Sequence, residues 1–187
     1  MGTGPVGSAK ERGMLEKLFR DHGCKDFRWI DPKKIVVSQW VRMKCTFGCG
    51  NYGKNACCPP NIPSVEECGR FFREYTDAVV FHFEKKLAKP DDRHKWSKGI
   101  NAKLSQLERE VFTSGYERAF LLFMDSCSLC AECSGRREEC KHLKSARPSP
   151  EAMAVDVFST VRKVGYPIEV LSDYSKTTNR YAFLMIE

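Results

Sequence analysis

Four cysteines in one short stretch are the residues whose type and spacing best predict chemistry. Cys127, Cys130 and Cys133 are separated by two residues each, and Cys140 follows after six more. A turn-rich segment of this kind can direct several thiolates at one centre, and Cys-x2-Cys-x2-Cys opens the ferredoxin signature for iron–sulfur clusters. In that signature the fourth cysteine comes sooner, directly before a proline, whereas Cys140 precedes Lys141. The spacing therefore predicts a metal site and favours an iron–sulfur cluster without matching one ferredoxin type.

A second group of cysteines lies earlier in the chain. It contains Cys45, Cys49 and Cys58, with Cys57 as the competitor of Cys58. Glycines between these cysteines leave backbone N–H groups free to approach a charged centre. Cys68 lies on the inner face of a predicted helix. It is either the fourth ligand of this group or a core residue, and the sequence leaves both readings open.

Tetrahedral thiolates suit Zn²⁺ and iron–sulfur clusters equally well, so the spacing has to decide between them. Structural zinc usually takes two separated Cys-x2-Cys pairs, and the continuous run at the main group favours one or two [4Fe–4S] clusters, with Zn²⁺ as the alternative. A mononuclear site shared between the two groups also stays open. We expect electron transfer, with a zinc-stabilised binding module and a metal-dependent enzyme with an open coordination position as alternatives. Asp125, beside the main group, is expected to form a helix cap or a salt bridge.

The predicted fold class is α/β, a mixed sheet of about five strands with helices packed on it. The predicted strands are Lys34–Met43, Asp77–Phe83, Glu117–Met124, Ile168–Leu171 and Tyr181–Ile186. Helices are predicted over residues 9–22, from the N-cap Ser64 to about Tyr75, over Trp96–Val111, and from Ser149 to Gly165. Both cysteine-rich metal-binding loops then follow strands. If those two strands are parallel neighbours, the loops emerge at one edge of the sheet.

The length of the chain limits its domain organisation, and its net charge indicates which partners it could bind. The 187 residues fit a single metal-binding domain over residues 11–187, after a disordered tail at residues 1–10. That tail lacks a secretory signal and no apolar run spans a membrane, so we expect a cytoplasmic protein with reduced thiols. The net charge of +7 predicts a redox partner with an acidic surface. A membrane is excluded, a nucleic-acid partner is not favoured, and the oligomeric state is left open.

Three segments carry a resemblance to a known family: residues 45–60, residues 127–133 and residues 140–152. They resemble an uncharacterised family of cysteine-rich predicted metal-binding proteins of anaerobic archaea and bacteria. The resemblance implies metal binding and supplies no reaction, so whether the protein is an enzyme stays open. The candidate ligands that it implies are Cys45, Cys49, Cys58, Cys127, Cys130, Cys133 and Cys140.

Overall fold

The computed structural model describes residues 8–89, 92–171, 173 and 176–187. These residues form five α-helices: α1 (Ala9–Asp21), α2 (Gln39–Gly48), α3 (Val65–Arg73), α4 (Asp92–Thr113) and α5 (Val157–Lys163). They also form four β-strands: β1 (Phe27–Ile30), β2 (Ala78–Lys86), β3 (Phe120–Leu122) and β4 (Thr177–Met185). Among the described helices, none combines the length and the apolar composition that crossing a membrane would require.

All four strands pair antiparallel in one sheet, in the order β1-β2-β4-β3. The central strands β2 and β4 pair from Ala78↔Met185 to Lys86↔Thr177. The α/β class is confirmed, but the prediction of about five strands in a mixed sheet is wrong for the described residues. The segment 168–171 is not a strand. Of the two strands that were expected to be parallel neighbours, Glu117–Met124 contains β3, which pairs antiparallel with β4, and Lys34–Met43 is not a strand.

The sheet separates two hydrophobic cores, because alternate residues of its strands face opposite sides. One core contains Val80 and Phe183 and is closed by α3 and α5. The other contains Phe81 and Leu184 and is closed by α1 and α4. An antiparallel sheet that is covered on both faces has the same continuous apolar runs as a parallel one, so the runs did not reveal the strand direction.

Two helix predictions are confirmed close to their expected starts. α1 follows the N-cap Ser8, and α3 follows Ser64, whose hydroxyl accepts from the backbone N–H of Glu67 while the Glu67 carboxylate accepts from the N–H of Ser64. Residues 1–7 of the predicted tail lie outside the described residues. The free Cys24, after α1, is a core residue that is 2 % exposed.

The prediction of a strand over Lys34–Met43 is wrong. Within it, Val37 forms an isolated β-bridge with Val155, and the Val36 N–H donates to Thr160 Oγ1 at 3.0 Å. These partners come from a distant part of the chain. The β-branched run is therefore extended only at the residues that form these two contacts. α2 then begins at Gln39. The second cysteine group therefore begins within α2, at Cys45, and only the main group follows a strand.

The helix predicted from Ser149 begins later, at Val157. Asp156 is its N-cap and accepts from the Ser159 N–H at 3.0 Å. The Ser149 hydroxyl instead accepts from the Ala152 N–H at 3.2 Å and caps a turn. The helix N-terminus that was predicted just beyond Cys140 is therefore not formed.

Candidate metal centres

Five cysteines line one small, partly open cavity, which we call the main cavity. They are Cys57, Cys127, Cys130, Cys133 and Cys140. The three cysteines of the Cys-x2-Cys-x2-Cys run and Cys140 are thus brought together as predicted, and Cys57 joins them from the other cysteine segment. Leu129 and Ala146 supply an apolar part of the lining, and His142 also faces the cavity.

Two of these thiols, Cys57 and Cys127, are hydrogen-bonded to each other. The Cys57 thiol donates to Cys127, which lowers the pKa of Cys127 against the opposing effect of burial. The backbone N–H groups of Leu129 and Arg147 lower it further. The same hydrogen bond, together with burial, raises the pKa of Cys57. Cys127 is therefore the thiol of this pair that ionises first.

Positive and N–H groups also point at sulfur in the main cavity. The Ala56 backbone N–H donates to Cys133 Sγ at 3.3 Å, and the Arg137 guanidinium lies 3.8 Å from Cys57 Sγ. A second nitrogen of Arg137 donates to the Leu143 carbonyl at 2.9 Å, which fixes its position. Such donors stabilise thiolate charge and adjust the reduction potential of a thiolate-bound metal.

Helix α4 holds the chain where β3 leads into the main loop, residues 126–149. The buried Asn101 side chain donates to the Met124 carbonyl at 2.8 Å and accepts from the Met124 N–H at 3.0 Å. Glu108 accepts from the Leu121 N–H and pairs with Arg147, both at 2.8 Å. Because Asn101 and Glu108 are both buried, these contacts fix both ends of the loop against the sheet.

Two asparagines connect the main loop to the second cysteine segment. The Asn55 side chain donates to the Cys127 carbonyl at 2.8 Å, and Asn61 donates to the Gly135 carbonyl at 2.7 Å. Gly135 has φ +77°, and a Cβ atom there would lie 3.2 Å from the Gly53 carbonyl oxygen. Only glycine allows this backbone conformation and this close approach without strain. The sequence reading missed both asparagines.

Cys45, Cys49 and Cys58 line a second cavity of about 360 Å³. The Arg42 guanidinium on α2 donates to the carbonyls of Pro63 and Ala152, which anchors the helix that carries the first two thiols. Burial, followed by the nearby charges of Cys45 and Cys49, raises the pKa of Cys58 to about 12. A cation that replaced these thiol protons would relieve the repulsion, as metal binding to thiols does.

The adjacent residues Cys57 and Cys58 face different cavities. The sequence had treated them as competitors for one position, and the structure gives each its own group. Cys68 lines neither of these cavities: it is fully buried, and its sulfur lies 3.6 Å from the Pro63 carbonyl and 3.9 Å from Met153 Sδ. The second group therefore has three thiols around its cavity.

The donors of both cavities suit a thiophilic metal, because cysteine sulfur is the common ligand of zinc and of iron–sulfur clusters. Within the described residues, no three His, Cys, Asp or Glu side chains are already arranged around a point that could hold a single ion. What the structure shows is thiols gathered around two neighbouring cavities, with N–H and guanidinium donors at the main one.

Asp125 forms the ion pairs that the sequence analysis expected of it. Its carboxylate lies 3.5 Å from Arg93 Nε and 3.9 Å from Arg180 Nε, and it accepts from the Ser97 hydroxyl at 2.7 Å. Its backbone has φ +64°, a left-handed conformation that is costly for a residue other than glycine. Sequence reasoning missed Arg93 and Arg180, which no local pattern connects to the cysteines.

In the metal-free protein, we expect iodoacetamide to alkylate Cys127 at a rate that rises with pH. The rate should reach its plateau at a pH below about 8.5, the ordinary pKa of a thiol. The lowered pKa means that its thiolate persists on the acid side of that value and is lost only as the pH falls further. Cys24, whose pKa burial raises to about 12, should stay unmodified in the folded protein. Peptide mass spectrometry across a pH series measures both rates.

The Cys57→Ala variant is the matched control for this pH series. Removing the thiol that donates to Cys127 should move the midpoint of the Cys127 rate to higher pH, with the Cys24 result unchanged. An unaltered midpoint would mean that the Cys57–Cys127 hydrogen bond does not set this pKa.

A family model described as "Predicted metal-binding protein (DUF2284)" matches residues 28–186 of the chain. No curated protein and no solved structure matches it. The matched range contains every cysteine of both cavities, the whole of the sheet apart from Phe27, and the helices α2 to α5. It leaves out α1 and Cys24.

Proposed function

Because the chain belongs to this family of predicted metal-binding proteins (DUF2284), we propose that it is an iron–sulfur protein that exchanges electrons with a partner protein. The main cavity would hold one [4Fe–4S] cluster through Cys127, Cys130, Cys133 and Cys140. The second cavity would hold a metal centre through Cys45, Cys49 and Cys58. A bound cluster of this kind supplies one-electron transfer.

The observation that carries the proposal is the convergence of five thiols on one small, partly open cavity. Four come from a single loop that α4 fixes at both ends. The Ala56 N–H and the Arg137 guanidinium approach sulfur atoms there, so thiolate charge is balanced by groups already in place. Cys57 lies against Cys127 and would act as a hydrogen-bonding neighbour of the cluster.

The closeness of the two cavities supports electron transfer over a purely structural metal. Cys57 and Cys58 are consecutive, so their Cα atoms are only about 3.8 Å apart while their side chains line different cavities. The surface near the main loop carries exposed cations, Lys54, Lys141 and Lys144. A partner with an acidic surface would be steered to that side, and its association would weaken as salt is added.

Anaerobic purification followed by iron, sulfide and zinc analysis tests this function. We expect a brown protein with broad visible absorption, iron and acid-labile sulfide in similar amounts, and an electron paramagnetic resonance signal after reduction. A colourless protein that holds only stoichiometric zinc, and that unfolds when a chelator is added, would instead make it a zinc-stabilised module.

A further inference from the structure

A groove of about 570 Å³ lies between the end of β2, residues 87–88 and the first half of α4. No cysteine lines it. Its uncharged wall includes Leu87, Trp96 and Ile100. We call it the lysine groove, because its charged lining consists of four lysines against one carboxylate: Lys85, Lys86, Lys95, Lys103 and Asp92.

The four lysines of the groove have no anionic partner. All four are exposed, and none forms an ion pair with another residue in the described part of the chain. Positive charges that share one groove repel one another, and the Asp92 carboxylate offsets no more than one of them. A ligand with several negative charges would remove this repulsion, whereas a ligand with one charge would leave most of it.

Trp96 adds an aromatic surface to the same groove. It is partly buried, because it packs against the core between the sheet, α1 and α4 while it also lines the groove. Lys85 Nζ lies 5.9 Å from the centre of the Trp96 ring. A cation and a flat ring therefore face one part of the groove. Bases of nucleotides stack on aromatic side chains placed in this way beside positive charge.

Gly99 leaves space on the helix side of the groove. It lies inside α4, where glycine is less favourable than alanine. A Cβ atom at Gly99 would meet no other atom within 4 Å, and its backbone is not left-handed. Neither packing nor backbone conformation therefore requires glycine here. The lining positions from Asp92 to Lys103 extend about 17 Å along α4, a length that suits one nucleotide with its phosphate chain.

We propose that the lysine groove binds a nucleotide with several phosphates, such as a nucleoside triphosphate. The phosphate oxygens pair with the ammonium groups of Lys85, Lys95 and Lys103, since lysine binds phosphate as a point charge. The base packs against Trp96, beside the open space at Gly99. This site lies apart from the cysteine cavities and is independent of any metal that they hold.

Calorimetric titration of the full chain with ATP at low ionic strength tests the site. ATP should bind, AMP should bind about tenfold more weakly because it carries fewer charges, and adenosine should not bind measurably. Inorganic triphosphate should bind more weakly than ATP, because it has no ring to pack against Trp96. Added salt should weaken the binding of ATP.

Two variants test the groove, each with a matched control. Gly99→Leu places a side chain in the open space without changing the charge, and ATP binding should be lost. Gly13→Leu makes the same change at an exposed glycine of α1 that also has open space around it, and binding should be unaltered. Lys95→Gln should weaken ATP binding about threefold to fivefold. Lys10→Gln removes an exposed lysine outside the groove and should have no effect.

Circular dichroism checks that each variant folds, and Lys95→Gln keeps the test decisive if Gly99→Leu does not. The proposal is overturned if ATP does not bind, if inorganic triphosphate binds as tightly as ATP, or if folded Gly99→Leu keeps its affinity. Equal losses in Lys95→Gln and Lys10→Gln would show that ATP responds only to the overall charge. A short single strand of DNA that binds more tightly than ATP, and that is weakened by the same variants, would make the groove a nucleic-acid site instead.

Discussion

Replacing Cys130 with alanine is expected to remove the metal of the main cavity. Cys130 is the middle thiol of the Cys-x2-Cys-x2-Cys run and lines the main cavity with the other cysteines of the loop. A [4Fe–4S] cluster takes one thiolate at each iron, so we expect the variant to lose the iron and sulfide of the main cavity. Metal and sulfide analysis after anaerobic purification measures the loss.

The matched control for this variant is Cys24→Ala. Cys24 is a buried free cysteine in the core between the sheet, α1 and α4, and it lines neither cysteine cavity. Removing its sulfur should cost on the order of 1 kcal/mol of unfolding free energy and leave the metal content unchanged. Loss of metal from Cys24→Ala, or full metal retention by Cys130→Ala, would show that the thiols are grouped wrongly.

Local patterns predicted the parts of the fold that depend on neighbours in sequence. The capping box at Ser64 and Glu67 fixes the start of α3 through contacts within one turn, so the sequence alone was sufficient. The extended run at Val36 and Val37 was misjudged because its partners are Thr160 and Val155, far along the chain. A β-branched run forms a strand only where other segments of the fold pair with it and pack against it. Here those segments contact the run at too few residues to form a strand.

The candidate site shows the same division between local and distant signals. The spacing of Cys127, Cys130 and Cys133 was enough to predict that these thiols share one space. The expected mechanism, parallel strands that deliver both loops to one edge, was wrong. Instead, the side chains of Asn55 and Asn61 bind main-loop carbonyls and bring the two segments together. Single hydrogen bonds of this kind produce no repeating pattern of residues in a sequence.

The neighbouring residues Cys57 and Cys58 should give opposite results when each is replaced by alanine. Cys58→Ala removes one of the three thiols at the second cavity, so we expect it to lose the metal of that centre. Cys57→Ala leaves four thiols at the main cavity, so it should keep its iron and sulfide. Its main-cavity signal should still change, because the hydrogen bond to Cys127 is lost.

Cys68→Ala completes this comparison, because Cys68 is a buried cysteine close in sequence that lines neither cavity. It should keep all metal and lose stability, by about 1–2 kcal/mol for a small truncation in a packed core. Metal loss from Cys68→Ala would make that sulfur the fourth ligand of the second centre. If Cys57→Ala loses as much metal as Cys130→Ala, Cys57 is a ligand of the main centre. One cysteine of the main loop would then not be a ligand. The three variants together therefore test whether Cys57, Cys58 and Cys68 hold metal, and at which centre.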